Sequence, residues 1–200
     1  MFQQETKNVY GFQAQGLNVM NEKQVKDTIA DAFKKHFTHF GFKKTSVNDV
    51  SKELQISKKT IYAHFSSKER IFYYIITRVA YGIQADMKKK LTDLPTLTDK
   101  VTELVRMIFG ESRKWLKTHD AFEFRYKYEI AQMAFKEAFG KLLHEYITEG
   151  MTTGEFAVGN VEMKVGFVQG LISESMRLLT DDPSMAVEDE LIRSIRKILV

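Results

Sequence analysis

From residue 22 onward the apolar residues of this chain keep helical time. Val25, Ile29, Phe33 and Phe37 recur at four-residue intervals, with Ala30, Ala32 and Phe40 widening the stripe. That period puts one face of an α-helix toward a core and leaves the other to water. Gly41 offers a stop, because glycine readily takes the left-handed conformation that ends helices. Thr45 and Ser46 are candidate caps for a short helix holding Val47, Val50 and Leu54, and the Ser46–Asp49 spacing resembles a capping box. Ser57 caps a third helix, with Ile61 and Phe65 inward. Ser66 or Ser67 opens a long fourth one, from about 68 to 90, whose Ile71, Ile75, Ile76 and Val79 lie along one side. Two short helices joined by a tight turn form a helix-turn-helix, which presents its second helix to a DNA major groove.

The rest of the chain also reads as helical. Pro95 breaks the pattern, and a helix from about 98 to 118 buries Val101, Leu104, Val105, Ile108, Trp115 and Leu116. The stretch AFEFRYKYEIAQMAF alternates like a strand from Phe122 to Tyr128, yet no partner strand exists, so helix is expected. GKLLHEYITEG continues as a further helix ending near Gly150. Val161, Val165, Val168, Ile172 and Leu179 line one face of the next helix, with Met163, Phe167 and Leu171 on a second. Asp182-Pro183 reads as the start of the last helix, which carries Leu191, Ile192, Ile195, Ile198 and Leu199. Helices apolar around much of their circumference need burial on more than one side. A subunit interface through Val165, Val168, Ile172, Leu191 and Ile195 is the expectation.

Composition narrows the function. Residues 21–70 hold 11 Lys/Arg against 6 Asp/Glu, a net of +5, whereas the other 150 residues hold 19 against 20, a net of −1. A basic unit on a neutral remainder is an electrostatic footprint for polyanions. There is no cysteine, which removes disulfides, thiol catalysis and cysteine-ligated zinc and suits a reducing cytoplasm. No secretory signal is read in the first twenty residues, and no apolar run is long enough to cross a bilayer. His36 and His39 lie three apart without a carboxylate on the same face, so neither a metal nor a cofactor is expected. No nucleophile–base arrangement, paired carboxylates or phosphate loop stands out, and the expectation is a non-enzyme.

In the second short helix, Ile61 and Phe65 turn inward, so Lys58, Lys59 and Tyr62 point out toward a groove or its walls. Ser57, Thr60 and His64 share that helix, while Thr45, Ser46 and Lys68 begin its neighbours and are placed to pin the DNA backbone. Residues 29–72 resemble the N-terminal domain of the TetR family (tetracycline-repressor-type regulators). The match runs through Ala32-Phe33, Gly41-Phe42, Thr45-Ser46-Val47, Asp49-Val50, Ile56-Ser57-Lys58, Thr60-Ile61-Tyr62, His64-Phe65 and Ser67-Lys68-Glu69. A fainter echo runs from Ile147–Gly150 to Gly154–Phe156. Leu54-Gln55 stands where the family usually has Ala-Gly in the turn, Ser51 replaces a usual alanine, and Lys59 stands where a small residue is common.

The resemblance implies an all-α homodimer that binds operator DNA and is released by a small molecule. The expected layout is an extension at 1–20, a helix-turn-helix domain at 21–67, and a helical effector-binding and dimerisation domain at 68–200. The family places its effector in the aromatic belt, where Trp115, Phe122, Tyr126 and Met133 are the candidate lining and an apolar or planar ligand is expected. The alternative is a helical ligand-binding or protein-interaction module whose DNA binding is secondary or lost.

Overall fold

A computed structural model describes the backbone of residues 20–116 and 121–200, with side chains throughout except at 111, 114–116 and 121–128. All regular elements among the described residues are helices. They are α1 (Glu22–Lys44), α2 (Val47–Glu53), α3 (Lys58–His64), α4 (Lys68–Leu91), α5 (Leu97–Leu116), α6 (Ala121–Thr153), α7 (Val161–Asp181) and α8 (Glu188–Leu199). The chain packs as two units, Met1–Ile75 and Ile76–Val200. The division falls inside α4 because its first two turns belong to the first core: Ile71 and Ile75 are buried with Val25, Ile29, Ala30, Phe33, Val50, Ile61 and Phe65.

In the first unit, α1 starts at a reciprocal cap, Asn21 accepting from the Gln24 amide while the Gln24 side chain accepts from the Asn21 N–H. It is interrupted at Gly41 (φ 79°), a left-handed conformation that suits glycine. The turn between α2 and α3 is a Schellman motif: Ile56 N–H bonds Ser51 O at 3.0 Å and Gln55 N–H bonds Lys52 O at 3.1 Å. Such a turn needs a left-handed residue after the cap, and here Gln55 supplies it at φ 55°. A side chain there costs about 1 kcal/mol. Gln55→Gly is therefore expected to raise the unfolding free energy by about 1 kcal/mol in urea titrations, a gain that no removed contact could produce.

The second unit is built around α5, α6, α7 and α8. Its core includes Leu104, Val105, Phe109, Leu142, Leu143, Ile147, Val168, Leu179, Leu191 and Ile195. The ambiguous aromatic stretch belongs to one continuous helix, α6, which runs past Gly150 to Thr153. Gly150 is needed for close approach: a Cβ there would stand 2.2 Å from the Phe156 ring, which packs onto it fully buried. The turn after α6 also caps another helix. Glu155 accepts from Leu97 N–H at 2.9 Å and Thr98 N–H at 2.7 Å, the free donors opening α5. Burial pushes its carboxyl upward, but the Thr98 and Leu97 N–H groups together outweigh this and hold it below the usual range. A depressed folded pKa adds stability that is complete above the unfolded value and lost as pH falls through the folded one. Unfolding titrations from about pH 7 to about pH 3 should therefore show wild type losing an advantage of about 1 kcal/mol over Glu155→Gln.

The last helix does not begin at Asp182-Pro183. Asp182 ends α7 instead, its carboxylate accepting from the Ser184 amide (2.9 Å) and hydroxyl (2.6 Å), and α8 starts at Glu188. Arg113 holds the intervening loop to α5, donating to Pro183 O, Met185 O and both oxygens of Glu188 at 2.6–2.8 Å. An Asx-type turn locked by an arginine fork has replaced the cap that the local sequence suggests.

Candidate nucleic-acid interface

Helix α3 is defined by what its two faces do. Ile61 and Phe65 are buried in the first core, which fixes the rotation of α3 about its axis. That rotation leaves Lys58, Lys59 and Tyr62 outward, with Tyr62 49% exposed. Ser57 opens the helix, its hydroxyl accepting from the Thr60 amide at 3.0 Å and lying 2.9 Å from the Thr60 hydroxyl. Ser57 and Thr60 thus cap each other, and Thr60 keeps only part of its hydrogen-bonding capacity for a ligand. His64 is half-buried at the helix end.

Lys58 and Tyr62 border an open hollow. Across it stand Ser46, Val47 and Asn48 at the start of α2, and Ser66, Ser67, Lys68 and Glu69 at the start of α4. Ser46 accepts from the Asn48 amide at 3.1 Å, so it caps α2 without completing a box with Asp49. Asn48, Ser66 and Ser67 were not legible as members of this surface; only their polarity beside capping positions hinted at it. Glu69 brings one carboxylate to its edge, held in its charged form by the Ser67 hydroxyl. The hollow can take an anionic, hydrogen-bond-accepting strand edge such as a phosphodiester backbone, with two lysines and hydroxyl donors around it.

Two expected contacts have other tasks. Thr45 is buried, 4% exposed, and its hydroxyl donates to Gly41 O at 2.8 Å. The Lys68 ammonium donates to Phe42 O (2.7 Å), Thr45 O (3.1 Å) and Lys43 O (3.5 Å), all carbonyls at the end of α1. Both side chains bond backbone carbonyls where α1 stops, whereas sequence position alone assigned them to DNA. His36 also has a structural partner, Glu53 Oε2 at 2.6 Å, linking α1 to α2.

The remaining candidates lie in the second unit. Trp115, Phe122 and Tyr126 fall outside the described side chains. Met133 is 58% exposed and is not among the residues lining the hollow found between α5, α6 and α7. That hollow is walled by Ile108, Phe135, Phe139, Leu143 and Ile172, with Gln132, Gln169 and Ser173 as polar groups. The residues expected at a subunit interface lie mostly in the core of the single chain. Val165, Val168, Leu191 and Ile195 are all buried within their own subunit, and Ile172 is half-buried against the same core. The face of α7 left to solvent is its second stripe, with Met163 56% and Phe167 54% exposed.

Comparison with known proteins agrees with this geometry. Residues 29–75 match the family model described as bacterial regulatory proteins, tetR family. The uncharacterized HTH-type transcriptional regulator YhgD of Bacillus subtilis (strain 168) is 31% identical over 119 residues, which are 58% of this chain and 60% of that protein. The fold is similar to that of RolR in complex with resorcinol (TM-score 0.67, 13% identity, 89% of this chain and 88% of that one). It is also similar to FadR of Thermus thermophilus in complex with lauroyl-CoA (TM-score 0.64, 16% identity, 86% of this chain and 92% of that one). At such identities these two structures speak for the fold alone.

Proposed function

We propose that this chain is a transcriptional regulator of the tetR type, to whose family model residues 29–75 are similar, and that it acts as a homodimeric repressor, freed from its operator by a small apolar or planar ligand. The observation that carries the DNA-binding part is the division of α3 into a buried face, Ile61 with Phe65, and an exposed one bearing Lys58, Lys59 and Tyr62. Two such helices, held at one separation by a two-fold axis, read successive major grooves of a near-palindromic site.

The second copy is proposed to sit on the exposed stripe of α7. Met163 and Phe167 there bracket Gly166, and Gly170 follows one turn on; no atom lies within 4 Å of where a Cβ would stand on either glycine. Bare glycines between exposed apolar side chains let a second helix approach closely. The ligand is proposed to enter the second unit, where the hollow lined by Phe135, Phe139 and Ile172 is largely apolar, with Gln132, Gln169, Ser173 and the charged Lys136 among its walls. Helix α4 runs unbroken from the first unit into the second and is the proposed transmission element. The ligand must bind the DNA-incompetent pose more tightly, or it shifts nothing. The cell compartment in keeping with a DNA partner is the cytoplasm; none of the described helices is long and apolar enough to cross a membrane.

The test is a selection from a random duplex pool with the full-length protein, followed by footprinting. Two half-sites about one helical turn apart, related by a two-fold axis, are expected. Recovery of no preferred sequence would leave the chain as a helical ligand-binding module instead.

A further inference from the structure

The corner where α1 gives way to α2 presents four carbonyls to be satisfied, those of Gly41, Phe42, Lys43 and Thr45. The helix is kinked at Gly41 and ends at Lys44, so the carbonyls of Phe42, Lys43 and Thr45 lack the regular amide partner that Gly41 O keeps. Gly41 O is taken by the Thr45 amide (3.2 Å) and hydroxyl (2.8 Å). The other three are taken by one ammonium group, that of Lys68, from more than twenty residues away. The same ammonium stands 4.5 Å from the centre of the Phe42 ring. Phe42 in turn packs against Phe37 and Phe72 at 5.1 and 5.5 Å between ring centres. An ammonium has three N–H donors and no others, so all three lie on this corner.

We propose that Lys68 is a positioning residue of the DNA-binding unit and not a phosphate contact: it pins the first turn of α4 to the α1–α2 corner and thereby sets where α2 begins. Ser46, the cap of α2, follows directly on Thr45, whose carbonyl Lys68 holds. Across the hollow from Lys58 and Tyr62, the position of Ser46 and Asn48 depends on that grip. The inference rests on the DNA-binding reading above.

Salt dependence separates a pin from a contact. Each phosphate neutralised by a lysine contributes about −0.9 to the slope of log affinity against log salt. Full-length wild type, Lys68→Met, Lys68→Arg and Lys90→Met, an exposed lysine of the second unit, are titrated with the duplex that wild type selects. Lys68→Met is expected to bind about tenfold or more weakly with the wild-type slope. Lys68→Arg keeps the charge, but a planar guanidinium cannot direct its donors at the same three carbonyls, so it too is expected to lose affinity at unchanged slope. Thr45→Val, which removes the corner's other side-chain donor, should behave alike. A slope shallower by about 0.9 per copy in Lys68→Met, or full affinity in Lys68→Arg, would overturn the proposal, and the arginine variant decides the matter even if the methionine variant does not fold. If wild type selects no duplex, the DNA-binding reading has failed and not the pin; loss of stability in Lys68→Arg and Thr45→Val alike would still report the corner.

Discussion

Replacing Lys58 and Lys59 together by methionine is expected to lower affinity for the selected duplex by about three orders of magnitude at about 0.1 M salt. Both side chains are exposed on α3 and make no ion pair among the described residues. In a two-fold dimer the double substitution removes four ammonium groups from the DNA face. At about 0.9 per phosphate, the log–log salt slope should become shallower by between about three and four. Methionine keeps the unbranched stem and the helix propensity of lysine, so thermal stability should stay within about 0.5 kcal/mol of wild type. Fluorescence anisotropy across a salt series reads both quantities. A parallel slope for the variant would mean that α3 does not lie on the phosphate backbone, and the interface would have to be sought on another face.

Helix α3 was legible because its signals are local. Ser57 caps within three residues, Ile61 and Phe65 lie four apart, and what remains must face out. The turn was marked only through the resemblance, where Leu54-Gln55 stands in place of the family's Ala-Gly, and Gln55 takes the left-handed conformation there. Long-range partners were not legible. Nothing near Lys68 in sequence says that its ammonium reaches back 23 to 26 residues to three carbonyls. Thr45 reads as polar, yet its hydroxyl folds back on Gly41 O and goes under. Likewise Asp182-Pro183 carries a start signal, and only Arg113, from 69 positions earlier than Asp182 in the sequence, shows why the loop persists to Val187. Helix α7 posed the hardest choice, because two apolar stripes share one helix and a period cannot say which is inward. Packing of α6 and α8 against Val165, Val168 and Leu179 decides it, and leaves Met163 and Phe167 outside.

That inversion makes Phe167→Glu the sharpest test of the assembly. Phe167 is 54% exposed, so a carboxylate there removes little from the subunit core and α7 should remain folded. On a two-fold interface the same substitution appears twice, close to the axis beside Gly166 and Gly170, and sets two desolvated carboxylates against each other. Dimer dissociation should strengthen by at least about two orders of magnitude, seen as a shift from dimer to monomer in sedimentation velocity. Operator affinity should fall with it, because each half-site loses the roughly millimolar effective concentration that the linked partner supplies. Circular dichroism distinguishes this from unfolding, which is the expected fate of Val168→Glu: the neighbouring residue is fully buried, and an unpaired charge there has no partner to satisfy it. A Phe167→Glu protein that still sediments as a dimer would move the interface off this stripe, whatever the DNA-binding unit does.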